Sequence, residues 1–322
     1  MPLSPLIVAR TTLIGLREPT HLASTSLTPS TSNTARIAPP AMMPVPSEAG
    51  CMNTRAAPCS PFSGCCSVVP ASAIVLNSGG ANCFTGAEGF QTTHLTAEAV
   101  AAALSHWGTE TGAIEVAVCS TGLIGDRLPL AKVLAGVTEI VHEMAGGLHG
   151  GDDAARAIMT TDTVPKQVAL HHAVSPDANW TVGGMAKGAG MLAPSLATML
   201  VVLTTDAVAD PGALDTALRR AAALTFDRLD VDGATSTNDT VLLLSSGASG
   251  IRPTQDDLDA AVFAVCDDLC AQMQADAEGV TKRVSITVAG APGDDEALTA
   301  ARIIGRDSLV KTALFGSDPN WG

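Results

Sequence analysis

Positive charge and aromatic side chains are both scarce in this sequence. Its 322 residues include 18 Lys and Arg against 32 Asp and Glu, a formal net charge of −14, and only 3% are aromatic, with no Tyr. Nucleic acids and anionic membranes bind basic proteins, so we expect neither as a partner. No apolar run reaches the roughly 20 residues of a membrane-spanning helix. We therefore expect a cytoplasmic protein in which any anionic substrate meets a local cationic pocket.

The spacing of Cys and His that marks a metal site is also missing. The eight cysteines stand at positions 51, 59, 65, 66, 83, 119, 266 and 270, and no Cys-x-x-Cys pair occurs. Cys266 and Cys270 lie four apart in a helical pattern, which favours two small apolar side chains on one helix face. Four histidines lack acidic residues at ligand spacing and are interpreted as surface or loop residues: His142, His149, His171 and His172. We predict reduced thiols and no metal.

The first 72 residues have an atypical composition. Residues 1–70 hold 11 of the 19 Pro and four Arg, but two Glu and neither Lys nor Asp. Such a stretch lacks the periodic apolar pattern that offsets chain entropy, which predicts irregular structure. The apolar start is interrupted by Arg10 and has no convincing small-residue cleavage site, so a signal or transit peptide is the weaker interpretation.

From residue 71 onward, short apolar runs alternate with helical periodicity, which predicts a mixed α/β fold. The predicted strands are Ala73–Leu76, Ile114–Cys119, Met199–Thr204, Thr240–Ser245 and Val284–Val288. The predicted helices are Thr96–Trp107, Leu130–Met144, Pro211–Asp227 and Gln255–Ala277. Pro211 after Asp210, and Thr254 three residues before Asp257, are typical helix starts.

Four segments beside these strands are rich in Gly and small polar residues. They are residues 77–82, 120–125, 183–190 and 235–239. Taken singly, each is explained by a tight turn, whereas together they predict one site built from several strand ends, where Gly lets the backbone approach a ligand. None of them is a phosphate-binding or dinucleotide-binding loop, because the required Gly spacing is missing.

The chemistry available in these segments is mostly that of hydroxyl groups. They hold Thr, Ser and Asn with one Lys, and the sequence has neither a Gly-x-Ser-x-Gly nor a His-Glu-x-x-His motif. A site with hydroxyls and no partnered His needs another base. One route is a Thr that becomes chain-terminal, so that its own α-amine serves as the base.

Six long motifs, in the same order, resemble those of the ornithine acetyltransferase family, also called the bifunctional glutamate N-acetyltransferase or ArgJ family. They are IVLNSG at 74–79, VCSTGLIG at 118–125, IMTTD at 158–162, KGAGMLAP at 187–194, STNDT at 236–240 and FGSDPNWG at 315–322. The resemblance covers residues 73–322. It implies self-cleavage between Ala197 and Thr198, although Thr198 considered alone is a typical β-branched core residue.

The resemblance implies a ping-pong acetyl transfer in arginine biosynthesis. Thr198 would take acetyl from N-acetylornithine as an ester and pass it to glutamate, with its own amine as the base. Some family members also accept acetyl-CoA as a donor, and no cofactor is implied. The two cleaved chains would stay associated, as an α2β2 heterotetramer.

The resemblance also assigns the remaining site residues. Thr121 and Gly122 match the oxyanion-hole pair, whose donors are each worth about 3 kcal/mol in comparable sites. Thr160, Lys187 and Glu278 match substrate-binding positions, Lys187 suiting a carboxylate and Glu278 an ammonium. From the sequence alone, Lys187 is equally explained as a loop lysine and Glu278 as an exposed carboxylate at a helix end.

The fold that the resemblance implies is an α+β layered sandwich of the N-terminal-nucleophile type, with helices flanking stacked mixed sheets and a second smaller lobe. Residues 73–197 and 198–322 would be the α-chain and β-chain parts of the catalytic domain. Residues 1–72 depart from the family pattern, and we interpret them as irregular sequence or as the product of a shifted reading frame. The chain ends within a motif after which family members continue, and that segment supplies further substrate contacts.

Two alternatives to an active acetyltransferase stay open at the level of sequence. The first is an inactive family fragment that keeps much of the fold. The second is a related hydrolase or aminopeptidase in which Thr198 passes an acyl group to water.

Overall fold

A computed structural model describes residues 6–10, 71–106, 110–143, 150–176, 178–192 and 199–319. Two sheets form the centre of this part of the chain. In the first sheet, β1 (Leu6–Arg10), β2 (Ala73–Gly80) and β3 (Val116–Leu123) lie side by side in that order. β1 runs antiparallel to β2, whereas β2 and β3 are parallel and are joined through the helix α1 (Gly86–His106). Parallel neighbours require such a crossover.

The second sheet has four strands in the order β4, β5, β6, β7. These are Lys166–Ser175, Ala178–Lys187, Leu200–Thr205 and Thr240–Ser245. The first three are antiparallel neighbours, and β7 runs parallel to β6. The helix α4 (Pro211–Leu224) lies between β6 and β7 in the chain and again provides a crossover.

Five further helices complete the described part of the chain, and all but the first of them begin at a capping side chain or with an acidic first turn. They are α2 (Leu130–Glu143), α3 (Gly150–Ala157), α5 (Gln255–Ala275), α6 (Asp294–Arg306) and α7 (Ser308–Gly316). The hydroxyl of Thr254 accepts the Asp257 N–H at the start of α5, as predicted, and Asp307 accepts the Val310 N–H at the start of α7.

Three apolar clusters hold these elements in layers. One packs α1 and α2 against the outer face of the first sheet, through residues such as Val75, Val100 and Val137. Another packs α4 and α5 against the outer face of the second sheet. The third, which includes Ile74 and Leu200, joins the inner faces of the two sheets. The order is therefore helices, sheet, sheet, helices, a mixed α/β architecture.

Several predictions of local structure were wrong. Val284–Val288 is not a strand, because it is largely exposed and no neighbour in the described ranges pairs with it. Strands β4 and β5 were not predicted, since β4 contains two His and β5 a Gly pair. The strand predicted from Ile114 begins at Val116, after a short 3₁₀ turn. Residues 6–10, predicted as irregular, form β1.

Three of the Gly-rich segments are partly strand rather than loop. Residues 77–80 end β2, residues 120–123 end β3, and residues 183–187 end β5. Gly184 illustrates why a glycine suits a strand here, because a Cβ there would lie 2.5 Å from Leu203 Cδ2 on β6. Among the described helices, none is long and apolar enough to cross a bilayer.

Candidate active site

The four Gly-rich segments meet at one edge of the two stacked sheets. The Ser120 hydroxyl donates to Asn77 Oδ1 at 2.7 Å, which joins the ends of the parallel strands β2 and β3. The Lys187 ammonium, at the end of β5, reaches Thr121 Oγ1 on β3 at 3.2 Å. The predicted convergence of these segments is therefore present in the structure.

Asn238, in the segment before β7, ties the two sheets together. Its side-chain amide donates to the Ala81 carbonyl at 2.7 Å and to the Ser120 carbonyl at 3.1 Å. A single side chain from the second sheet thus holds the ends of two strands of the first. The sequence marked this segment by its STNDT motif but did not show what Asn238 contacts.

The ends of β2 and β3 approach each other unusually closely at Gly122. This residue has φ of +127°, and a Cβ there would lie 2.4 Å from the Gly79 carbonyl carbon and 2.6 Å from the Gly80 nitrogen. Only glycine fits this position, since both the dihedral angle and the space exclude a side chain. The neighbouring Thr121 side chain is fully buried. The strand end that carries both residues is therefore tightly fixed.

Lys187 is the cationic group of the site, and it is buried rather than in a loop. Its side chain is 1% exposed, and Nζ donates to Thr160 Oγ1 at 2.7 Å as well as to Thr121. Burial lowers the pKa of Lys187, while the nearby Asp162 carboxylate, 3.8 Å away, opposes that change. The structure thus brings together Thr121, Thr160 and Lys187, three of the residues that the resemblance selected.

A buried charge network behind Lys187 was missed from the sequence. Lys166, with a fully buried side chain, donates to Asp162 Oδ1 at 2.7 Å and to Asp276 Oδ2 at 2.6 Å. Asp162 also accepts the backbone N–H of Gly188 at 2.7 Å and of Thr160 at 3.1 Å. Although burial alone would raise the pKa of Asp162, these donors and lysines lower it overall. The IMTTD motif contains Asp162, but no sequence signal linked it to Lys166.

Glu278 lies at the margin of the same site. Its backbone N–H donates to the Ala189 carbonyl at 2.7 Å, and its exposed carboxylate covers Gly190, where a Cβ would lie 2.7 Å from Oε1. The Glu278 charge also favours the protonated form of Lys187. The absence of a side chain at Gly190 therefore leaves room for this carboxylate beside the Lys187 segment.

The predicted nucleophile Thr198 and the cleavage partner Ala197 lie outside the described residues. The next residue, Met199, donates its N–H to Asp239 Oδ1 at 3.0 Å. Burial raises the pKa of Asp239 to about 7, against the opposing effects of that hydrogen bond, the Ser236 side chain and the Lys187 charge. Asp239, also missed as a site residue, is thus a half-buried carboxyl bonded to the backbone directly after Thr198.

The histidines and cysteines lie apart from this arrangement. His171 and His172 are on β4 rather than in a loop, and the half-buried His172 stacks on Trp180 with ring centroids 4.6 Å apart. His142 belongs to α2, but its side chain is not among those described, and His149 lies outside the described residues. The helix face with Cys266 and Cys270 is as predicted, and burial raises their pKa to about 12 and about 11. Within the described ranges, no three His, Cys, Asp or Glu residues are grouped to hold a metal.

The fold and site define a mixed α/β protein with a buried lysine and threonine hydroxyls at the edge of two stacked sheets. Residues 45–322 match the family model described as the ArgJ family. The chain belongs to the ArgJ family. The matched range begins upstream of residue 73, where the motif resemblance starts.

Several relatives bear the name arginine biosynthesis bifunctional protein ArgJ. The chain is 79% identical over 250 residues to the one from Mycolicibacterium paratuberculosis, covering 78% of this chain and 61% of that protein. It is 57% identical over 250 residues to the one from Streptomyces coelicolor, covering 78% and 62%. The chain thus spans about three fifths of the length of the curated relatives it matches.

A solved structure is also similar to part of the chain. It is the ornithine acetyltransferase of Mycobacterium tuberculosis complexed with ornithine, 77% identical in sequence. The match covers 39% of this chain and 63% of that one, with a TM-score of 0.37.

Proposed function

We propose that this chain carries the acetyl-transfer site of an arginine-biosynthesis enzyme that moves acetyl from N-acetylornithine to glutamate. The observation that carries the proposal is the contact of the buried Lys187 ammonium with the hydroxyls of Thr121 and Thr160. Membership of the ArgJ family and the name shared by its relatives support the same activity. Acetyl-CoA is a second candidate donor.

The transfer would begin with self-cleavage. The Thr198 hydroxyl attacks the Ala197 carbonyl, and the acyl group moves from the Thr198 nitrogen to its oxygen, which breaks the peptide bond and frees the Thr198 α-amine. Water then hydrolyses the resulting ester, which releases the Ala197 carboxylate and restores the Thr198 hydroxyl. The same hydroxyl then attacks the acetyl carbonyl of N-acetylornithine while the α-amine takes its proton and passes it to the departing ornithine nitrogen. The acetyl group is now an ester on Thr198.

Glutamate completes the cycle. Its amine attacks the ester carbonyl, the Thr198 oxygen leaves and regains a proton through its own α-amine, and N-acetylglutamate is released. In both half-reactions a tetrahedral oxyanion forms. The Thr121 hydroxyl and the Gly122 N–H are the donors we assign to it. The rigid contact of Gly122 with Gly79 and Gly80 supports this assignment, because a preorganised donor costs little reorganisation.

The charged groups at the site suit an amino-acid substrate. The unused donor capacity of Lys187 fits a substrate carboxylate, and the exposed Glu278 carboxylate fits the side-chain ammonium of ornithine. Their location on adjoining segments, linked through Ala189 and Gly190, supports one site with both charges. No cofactor is required by this scheme.

The larger organisation follows the same proposal. The layered sheets are compatible with an N-terminal-nucleophile-type fold in which residues 73–197 and 198–322 become the α and β chains, with a smaller lobe and an α2β2 assembly. Residues 1–72 stay assigned as an atypical region. A biosynthetic role on free amino acids supports a cytoplasmic location.

Denaturing mass spectrometry combined with an acetyl-transfer assay tests the proposal. We expect two chains that meet between Ala197 and Thr198, and formation of N-acetylglutamate from N-acetylornithine and glutamate. Thr198→Ala should abolish both results, whereas Thr198→Ser should keep cleavage because it retains a hydroxyl. One intact chain with no transfer would favour the inactive fragment, and acetate release without N-acetylglutamate would favour the hydrolase.

A further inference from the structure

We propose that Asp162 is a positioning residue which, backed by Lys166 and Asp276, holds the Lys187 ammonium against the hydroxyl oxygens of Thr121 and Thr160. The Thr121 proton is thereby left to donate to the reacting oxyanion. This inference rests on the proposed acetyl transfer, because it explains how the oxyanion donor is oriented. It gives Lys187 a role toward a protein hydroxyl in addition to any contact with substrate.

The hydrogen bonds from Lys187 to the two threonine hydroxyls can run in one direction only. A lysine ammonium has only donors, so the Thr121 oxygen at 3.2 Å and the Thr160 oxygen at 2.7 Å must both accept from it. Each hydroxyl then has to direct its own proton elsewhere. A neutral Lys187 would instead offer a lone pair, which could accept the Thr121 proton and remove it from the oxyanion.

Because Lys187 is buried, its positive charge is costly and needs a carboxylate nearby to compensate it. The Lys187 side chain is 1% exposed, and the Asp162 side chain is fully buried 3.8 Å from Nζ. Asp162 is itself fixed by donors from three directions: Lys166 Nζ, the Gly188 N–H and the Thr160 N–H. Its carboxylate therefore has little freedom to leave Lys187 or to rotate away from it.

Lys166, the second lysine of the buried network, supplies the positive charge that offsets the second carboxylate. Lys166 donates to Asp162 on one side and to Asp276 on the other, at 2.7 and 2.6 Å. The two ammonium groups of the network and its two carboxylates, Asp162 and Asp276, therefore have no net charge together. The Lys166 charge disfavours the protonated form of Lys187, whereas the Asp162, Asp239 and Glu278 carboxylates favour it. Asp162 is the member of the network that contacts both lysines, which singles it out.

Asp162→Asn in the full chain tests the inference, because it keeps the side-chain shape and removes the charge. The sequence has five lysines, so selective ¹³Cε labelling resolves the titration of each, with Lys187→Arg as the assignment variant. We expect the Lys187 midpoint to fall by about one pH unit or more. We expect kcat to fall by about tenfold or more with a smaller change in KM, and the alkaline limb of the kcat profile to move to lower pH.

A second test variant and a control variant complete the experiment. Asp276→Asn removes a carboxylate that pairs with Lys166 and not with Lys187, and that also accepts from Thr163 and Val164. It should therefore produce the same changes at smaller size, and it keeps the inference testable if Asp162→Asn does not fold. Asp295→Asn changes an exposed residue of α6 and should leave the Lys187 titration and kcat as in the wild type.

The outcomes separate this inference from the proposed function. An unchanged Lys187 titration in both network variants, or a rise in KM with kcat intact, would overturn the positioning role. Absence of acetyl transfer by the wild type would instead contradict the proposed function. The NMR titration would then still report whether Asp162 holds the Lys187 charge.

Discussion

The Asn238 side-chain amide donates to the Ser120 carbonyl, 3.1 Å away, and so joins the segment before β7 to the strand end that carries Thr121. These residues are 118 positions apart in the chain. The bond fixes the backbone directly before the proposed oxyanion donor, and the second bond of Asn238, to Ala81, fixes the neighbouring strand end.

Asn238→Ala should lower both stability and activity. It leaves two carbonyls without their donor, and each unsatisfied buried group costs about 1–3 kcal/mol. We expect a loss of about 2–4 kcal/mol in the free energy of unfolding, measured with urea, and a larger fall in kcat than in substrate affinity. Asn179→Ala, on an exposed position of β5, is the control. Equal stability of both variants would show that the Asn238 bonds contribute nothing.

Asp239→Asn should remove a pH dependence of stability. The unfolded-state pKa is the ordinary 3.8 and the folded-state pKa is about 7, so the folded state holds the proton more tightly. The contribution is fully present below pH 4 and is lost as pH rises through 7. We expect the stability of the wild type to fall by about 2–3 kcal/mol relative to the variant between pH 5 and pH 8.

Urea unfolding of both proteins across that range measures the difference, with Asp295→Asn as the exposed control. An Asn side chain still accepts the Met199 N–H, so the bond itself is retained. A constant difference between wild type and Asp239→Asn over the whole range would contradict the raised pKa.

Gly122→Ala should destabilise the fold strongly. The new Cβ would meet the backbone of Gly79 and Gly80, which cannot yield as a flexible side chain does, and φ of +127° adds strain. We expect a loss of about 3 kcal/mol or more, measured by thermal and urea unfolding. Gly151→Ala is the matched control, because nothing lies within 4 Å of its added Cβ and α3 tolerates alanine. A similar result for both would exclude a tight contact at Gly122.

Gly190→Ala should act on substrate binding rather than on the fold. Its Cβ would lie 2.7 Å from the Glu278 carboxylate, which is exposed and can move aside. We expect the KM for N-acetylornithine to rise by about three- to tenfold with stability changed by less than about 1 kcal/mol. Gly212→Ala, with open space around its Cβ, should change neither. An unchanged KM would argue against a role for Glu278 in binding.

The elements predicted correctly are those whose apolar pattern is strong within a short window. β6, β7 and α5 fall close to their predicted bounds, and β2 begins where predicted but runs on to Gly80, because continuous apolar runs and three- and four-residue apolar steps are local signals. β5 was not predicted from the sequence because it contains two consecutive glycines. Gly183 and Gly184 are typical of a loop in sequence, but here they allow close packing against β4 and β6.

Val284–Val288 shows the opposite failure. Its alternating apolar residues are those of a strand, yet a strand exists only when a neighbour supplies hydrogen bonds, and none among the described residues does so. The site residues show the same division. Motif resemblance pointed to Thr121, Thr160 and Lys187, whereas Asp239, Asn238 and Lys166 have roles that depend on distant contacts.

The sequence by itself determined the mixed α/β class, the family and the segments that converge on the site, because these follow from local periodicity and from motif order. Only the tertiary structure decided which charges share the interior. Lys166 and Asp276 are 110 residues apart and bond at 2.6 Å, while Lys187 and Thr121 are 66 apart. Burial and pairing are properties of the packed chain, and a sequence pattern holds no measure of them.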